Sequence, residues 1–179
     1  QKEDLLLVEK NQERGYQLQE QKSGIVVDTI SSKISKSDLI ILSVKPQDYP
    51  AVVSELKDYI QSTQVVLSIM AGIPIAQIQS SLSHDLVIRA MPNTPALIGK
   101  EASGYSLGIG VTAEQKSFVS DFLAATGKAI EVPEVLQDSV TATSGSGPAY
   151  FFAFVEAMVE GAVALGLSQE DATLLTIQT

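Results

Sequence analysis

Four short stretches of this chain combine small residues, prolines and a few polar groups: Glu9-Lys10, Ser43-Val44-Lys45-Pro46, Ser68-Ile69-Met70-Ala71-Gly72 and Met91-Pro92-Asn93-Thr94-Pro95. Such stretches suit close approach of backbone to a flat ligand. Gly and Ala leave room, and Pro restricts the turn. Asn93 is the best polar candidate for orienting a ring or a water, although an amide does not titrate as an acid. Glu9 is a carboxylate able to accept hydrogen bonds from hydroxyls. The single histidine, His84, lies in the polar stretch Ser80–Asp85 and reads as a loop residue. With no cysteine there is neither a disulfide framework nor a cysteine metal site, and no metal is expected.

Each stretch follows an apolar run. Leu5–Val8, Ile25–Val27, Leu39–Val44, Val65–Ile69 and Leu86–Met91 read as strands, continuous in the way expected of strands buried on both faces. Helices are expected between them. Asn11–Gln21 is polar and ends at Gly24, and residues 30–36 suit one short helix. Asp48 reads as an N-cap with Pro50 in the first turn, ahead of a stripe of Val52, Val53, Leu56, Tyr59 and Ile60. Pro74 opens the next helix, with Ile75, Ile78 and Leu82 as its stripe. This alternation implies a parallel sheet with helices on both faces. The strands at 5–8, 39–44, 65–69 and 86–91 are expected in one plane, with their carboxyl ends on one edge. Ligands of open parallel sheets bind at that edge, so the four stretches form one expected crevice. Arg89 reads as facing away from it, because side chains alternate along a strand.

Past Pro95 a strand is expected at Gly104–Gly108, a helix at Thr112–Ala125 capped by Thr112, and a strand at Lys128–Val132. From Val135 onward only helices are expected, which sets domains of 1–133 and 134–179. Ser144-Gly-Ser-Gly-Pro-Ala-Tyr150 reads as a flexible small-residue turn feeding an apolar helix, Phe151–Leu167. Only Glu156 and Glu160 are charged along it. They lie four apart on one stripe, solvated or arginine-paired rather than acid-base groups. A helix apolar on nearly every face must be buried on most sides. In a chain of 179 residues a second subunit is the expected cover. A net charge of −9 argues against non-specific nucleic-acid binding. Leu39–Val44 is far too short to cross a bilayer, and a cytoplasmic protein is expected.

The ordered set of motifs resembles the pyrroline-5-carboxylate reductase family. It comprises Ser-Asp-Leu-Ile-Ile-Leu-Ser-Val-Lys-Pro-Gln at 37–47, Ala71-Gly72, Arg-Ala-Met-Pro-Asn-Thr-Pro at 89–95, and Ser-Gly-Ser-Gly-Pro-Ala-Tyr at 144–150. Glu-Ala-Met-Val-Glu-Gly-Ala at 156–162 and Gly166-Leu167 complete it. The resemblance implies a Rossmann-type, doubly wound α/β domain binding NADPH or NADH, then the start of an all-helical dimerisation domain. It implies reduction of 1-pyrroline-5-carboxylate to L-proline by hydride transfer to the imine carbon. It also implies a homodimer or higher homo-oligomer built through 148–167. The cofactor-binding positions it implies are Glu9, Ser43, Val44, Lys45, Pro46, Met70, Ala71 and Asn93, with Lys45 acting mainly through its backbone. It identifies no catalytic residue beyond an orienting role for Asn93. At Glu9, which stands at the ribose-contacting position, a carboxylate favours the free 2′-hydroxyl of NAD, whereas Lys10 and Arg14 attract the 2′-phosphate of NADP. Both cofactors remain open.

The resemblance begins after the family's first strand and its Gly-x-Gly-x-x-Gly-type turn, and stops before a Ser-Pro-Gly-Gly-Thr-Thr-type loop that cradles the substrate carboxylate. The chain thus resembles the middle of the enzyme. The first strand lies at the centre of such a sheet. Without it, two buried strands each expose an unpaired edge, at about 1–3 kcal/mol per unpaired buried group against a total stability of about 5–15 kcal/mol. The expectation is that residues the protein possesses are missing from the sequence. A truncated, non-catalytic dinucleotide-binding and dimerising relative is the alternative, as is a reductase of the same fold acting on another small acid.

Overall fold

The computed structural model describes residues 5–21 and 24–179. They divide between two compact units, residues 1–89 with 107–116 and residues 90–106 with 117–179. The first four residues of the expected 1–133 domain lie outside the described residues.

The apolar runs of the first unit fold as strands. Its elements are β1 (Leu6–Val8), α1 (Gln12–Glu20), β2 (Ile25–Val27), β3 (Leu39–Leu42), α2 (Tyr49–Leu56), β4 (Val65–Ser68), α3 (Ile75–Leu82) and the first residues of β5 (Val87–Met91). The Asn11 side chain caps α1 by accepting from the Arg14 amide at 3.0 Å. β3, β4 and β5 pair in parallel, Leu39 opposite Val65 and Val66 opposite Val87. Every residue of β4 is buried, as a central strand between two neighbours requires. The core is built from the predicted stripes: Leu56 of α2 and Ile75, Ile78 and Leu82 of α3 meet Leu42, Val66 and Val87 of the strands.

Three expectations need correction. First, β1 is not hydrogen-bonded into the sheet of β3, β4 and β5. It pairs only with β2, in a separate two-stranded parallel sheet, Leu6 opposite Ile25 and Val8 opposite Val27. Among the described residues, one edge of β1 and one edge of β3 have no strand partner. The unpaired edges expected from the sequence are therefore present. Val8 and Ile41, which read as buried on both faces, are 39% and 38% exposed. Second, Asp48 does not cap α2. It has helical dihedrals and no capping bond, because Pro46 opens a 3₁₀ turn, Pro46–Asp48, from which α2 continues with Pro50 in its first turn. Third, the short helix at 30–36 is a 3₁₀ turn, Ser32–Lys36.

The second unit holds the end of β5, most of β6 (Glu101–Leu107), most of α4 (Ala113–Ala124), β7 (Gly127–Glu131), α5 (Gln137–Val140), α6 (Gly147–Ala164) and α7 (Gln169–Gln178). Thr112 caps α4 as expected. It accepts from the Gln115 amide at 3.3 Å and donates its own amide to Gln115 Oε1 at 2.9 Å, a reciprocal capping box. β6 and β7 pair in parallel, Glu101 opposite Gly127. A Cβ at Gly127 would fall on the Glu101 backbone, which no rotamer change can relieve. Gly127→Ala is therefore expected to lower stability by about 1–3 kcal/mol, read as a lower urea midpoint with an unchanged slope. An unchanged midpoint would mean that this strand pair yields freely.

The Ser-Gly-Ser-Gly stretch is helical rather than a flexible turn. Thr141–Gly145 is one π-helical turn, with the Ser146 amide bonded to the Thr141 carbonyl five residues back at 2.7 Å, and it runs directly into α6. On α6 only Gly147 and Val159 are buried; Phe151 and Phe154 are 73% and 63% exposed. α7 packs on α6 and buries Ala172. The single chain thus leaves most of this apolar helix in water.

Candidate functional site

Parallel register brings strand ends together. Leu42 stands opposite Ser68, so β3 and β4 deliver their following residues to one edge of the first unit. Past β3, Ser43, Lys45 and Pro46 are exposed, while Val44 is half-buried and packs against the core. Past β4, the Ile69 amide bonds the Leu42 carbonyl at 3.1 Å, and the Met70 amide bonds Ser68 Oγ at 3.3 Å. The Met70 side chain belongs to the core, so this residue offers a ligand only its backbone. Ala71 and Gly72 stand exposed beyond it. Gly72 has φ +74°, a conformation that disfavours side chains, and nothing lies within 4 Å of where its Cβ would be. Gly72 thus stands open to solvent beside in-register strand ends.

Glu9 ends β1. Its amide bonds the Val27 carbonyl at 2.9 Å, and its Oε1 accepts from the Asn11 amide at 2.8 Å. The carboxylate is thereby fixed at the start of α1. The two cations expected to attract a phosphate have local partners: Lys10 pairs with Glu55 of α2 at 2.6 Å, and Arg14 donates to Gln17 Oε1 at 3.1 Å. The Lys10–Glu55 pair is exposed and contributes little to stability, so a stronger anion can displace Glu55.

Asn93 belongs to the second unit, and the other seven candidate positions belong to the first. Its Oδ1 accepts from the Ala102 amide at 3.0 Å, and its Nδ2 donates to Ser144 Oγ at 3.2 Å and to the Ser144 carbonyl at 3.3 Å. A backbone N–H only donates and a carbonyl only accepts, so these partners fix which end of the carboxamide is oxygen. Sequence reading missed Ser144. The chemistry of the pair shows only once residues 51 apart are side by side.

His84 lies in the loop after α3, as expected. It follows α3 but is buried, with a ring nitrogen 2.7 Å from the Gln64 carbonyl, to which it must donate. It is a loop residue that is buried and hydrogen-bonded. Arg89 is buried on β5. Among the described residues, no group of three or more His, Cys, Asp or Glu is placed to hold a metal ion, and no helix is long and apolar enough to cross a membrane.

Residues 134–179 match the family model for pyrroline-5-carboxylate reductase dimerisation, and residues 2–72 match that for NADP oxidoreductase, coenzyme F420-dependent. A pyrroline-5-carboxylate reductase of Arabidopsis thaliana is 42% identical over 86% of this chain. The chain belongs to the pyrroline-5-carboxylate reductase family. Solved structures agree: the reductase of Coxiella burnetii is 32% identical, with a TM-score of 0.84 over 97% of this chain. The Plasmodium falciparum pyrroline carboxylate reductase, solved with NADP bound, is 29% identical, with a TM-score of 0.79 over 87% of this chain. The chain spans 56% of the Arabidopsis reductase, 65% of the Coxiella chain and 60% of the Plasmodium chain. The Rossmann-type α/β fold followed by a helical dimerisation segment is thus that of the reductase family.

Proposed function

We propose that the protein reduces 1-pyrroline-5-carboxylate to L-proline with NADPH or NADH. The observation that carries this reading is the edge formed by Ser43–Pro46 and Met70–Gly72, open at Gly72, in a chain of this family. The nicotinamide, when bound, supplies the hydride that reduces the C=N bond at C5. The protein's part is to bind, orient and exclude water. Ser43, Val44, Lys45 and Pro46 give the dinucleotide a backbone wall, Met70 and Ala71 a second one, and Glu9 reaches the adenosine ribose. Asn93, with its Oδ1 held by Ala102, serves the nicotinamide side. Residues 1–133 form the cofactor domain and 134–179 the start of the dimerisation domain. A homodimer or larger homo-oligomer forms through 148–167, where most of α6 is uncovered. A small polar substrate goes with a cytoplasmic location.

Glu9 gives a sharp expectation. A carboxylate near a 2′-phosphate repels it by about 4 kcal/mol at about 4 Å and an effective dielectric near 20, a value that salt and exposure reduce considerably. Glu9→Ser should shift the kcat/KM ratio towards NADPH by about tenfold, equivalent to about 1.4 kcal/mol. An unchanged ratio would show that Glu9 does not read the ribose. The function itself is tested with the protein expressed from its entire reading frame. Loss of reduced-nicotinamide absorbance on adding 1-pyrroline-5-carboxylate is the expected result, and its absence in folded, cofactor-binding protein would refute the proposal.

A further inference from the structure

Asn93, Ala102 and Ser144 close a hydrogen-bonded ring. The Ala102 amide donates to Asn93 Oδ1 at 3.0 Å, Asn93 Nδ2 donates to Ser144 Oγ at 3.2 Å, and Ser144 Oγ donates to the Ala102 carbonyl at 2.6 Å. The second acceptor for Nδ2 is the Ser144 carbonyl at 3.3 Å. Asn93 Nδ2 thus donates to Ser144, and one lone pair of Oδ1 is engaged. Asn93 Oδ1 retains a second lone pair for a ligand. Ser144 belongs to the π turn Thr141–Gly145, whose Gly145 packs so tightly that a Cβ there would meet Met91 Cγ at 3.2 Å and Sδ at 3.3 Å. The ring is therefore carried on a turn held close to the end of β5. π turns of this kind are frequent at functional sites.

We infer that Ser144 is a positioning residue: it holds the Asn93 carboxamide as a fixed acceptor for the N–H of a ligand carboxamide, the group that nicotinamide carries. This rests on the proposed placement of Asn93 beside the nicotinamide. Without the Ser144 hydroxyl the ring opens and Nδ2 keeps only its longer bond to the carbonyl of residue 144, so the Asn93 amide is held less firmly and turns more often to set a donor end against the ligand's own donor.

The test uses the protein expressed from its entire reading frame, with Ser144→Ala, Ser144→Thr, Asn93→Ala and the Asn93→Ala/Ser144→Ala pair. Selective ¹⁵N-asparagine labelling is economical, because residues 1–179 contain only Asn11 and Asn93. The Asn93 side-chain signals, assigned by their loss in Asn93→Ala, should be slow to exchange in the parent and in Ser144→Thr. They should exchange at least about tenfold faster in Ser144→Ala, as expected for a lost hydrogen bond. The kinetic readout compares NADPH with its reduced 3-acetylpyridine analogue, which lacks the carboxamide N–H. The parent should prefer NADPH in kcat/KM, and Ser144→Ala should lower that preference by about tenfold. The double variant should lose no more than Asn93→Ala alone, since Ser144 acts through Asn93. An unchanged Asn93 exchange rate in Ser144→Ala overturns the inference. So does a retained preference for NADPH, or a Ser144→Ala loss that adds in full to that of Asn93→Ala. If the parent reduces no imine, the proposed function fails, whereas the amide exchange still decides whether Ser144 holds Asn93.

Discussion

Replacing both Phe151 and Phe154 by aspartate should leave folded monomers whose reductase activity is down by about a hundredfold or more, at least about 2.7 kcal/mol. The two side chains are 73% and 63% exposed within one chain, so carboxylates at these positions meet water and disturb no packing there. Phe152, Met158 and Leu165 are exposed on the same helix or just past its end. Covering each such side chain stabilises by about 1.5–3 kcal/mol, so a two-fold partner gains greatly from seating on α6. An aspartate pair in that interface brings buried charge instead, at a cost of several kcal/mol. Activity is expected to fall with assembly, because we propose that the substrate pocket is completed at this interface. Sedimentation and circular dichroism read assembly and fold separately. Folded monomers with full activity would show that the pocket needs no partner, and an intact dimer would show that α6 is not the contact.

Ala71→Glu should weaken binding of NADPH and NADH alike by about a hundredfold or more, about 2.7 kcal/mol. Ala71 is exposed beyond the carboxyl end of β4 and adjoins the open space at Gly72. A glutamate there brings both bulk and negative charge to the place proposed for a ligand that itself carries a pyrophosphate. Val44→Glu is a poorer probe. Val44 packs against the core that contains Leu42 and Val66, so a charge there confounds lost binding with lost stability. The measurement is a titration of cofactor fluorescence with the thermal midpoint as control. Unchanged affinity in a stable Ala71→Glu protein would place the cofactor elsewhere.

Local chemistry made much of this legible in the sequence. The runs Leu39–Leu42 and Val65–Ser68, the stripe Ile75, Ile78 and Leu82, and the Thr112 cap each follow from residue type and spacing within a few positions. What stayed hidden depends on partners distant in sequence. That β1 would pair with β2 alone, leaving Val8 and Ile41 half out of the interior, is a statement about neighbours rather than about Leu5–Val8 itself. The small residues at 144–147 suggested flexibility. At Gly145, however, smallness serves close packing on Met91, and the backbone stays helical. His84 is legible as a loop residue but its burial is not, because its partner, the Gln64 carbonyl, lies 20 residues away. Met70 shows the same limit, since its position past β4 is legible but the burial of its side chain is not.

The central claim is that this protein transfers a hydride from a nicotinamide cofactor to C5 of a cyclic imino acid. Its most direct test is to supply NADPH deuterated at C4, on the face from which hydride leaves, together with unlabelled 1-pyrroline-5-carboxylate. Mass and magnetic-resonance spectra of the product are then recorded. The account predicts L-proline carrying a single deuterium, located at C5. Proline without deuterium, when each face of the cofactor has been labelled in turn, or no proline from folded protein that binds NADPH, would contradict it.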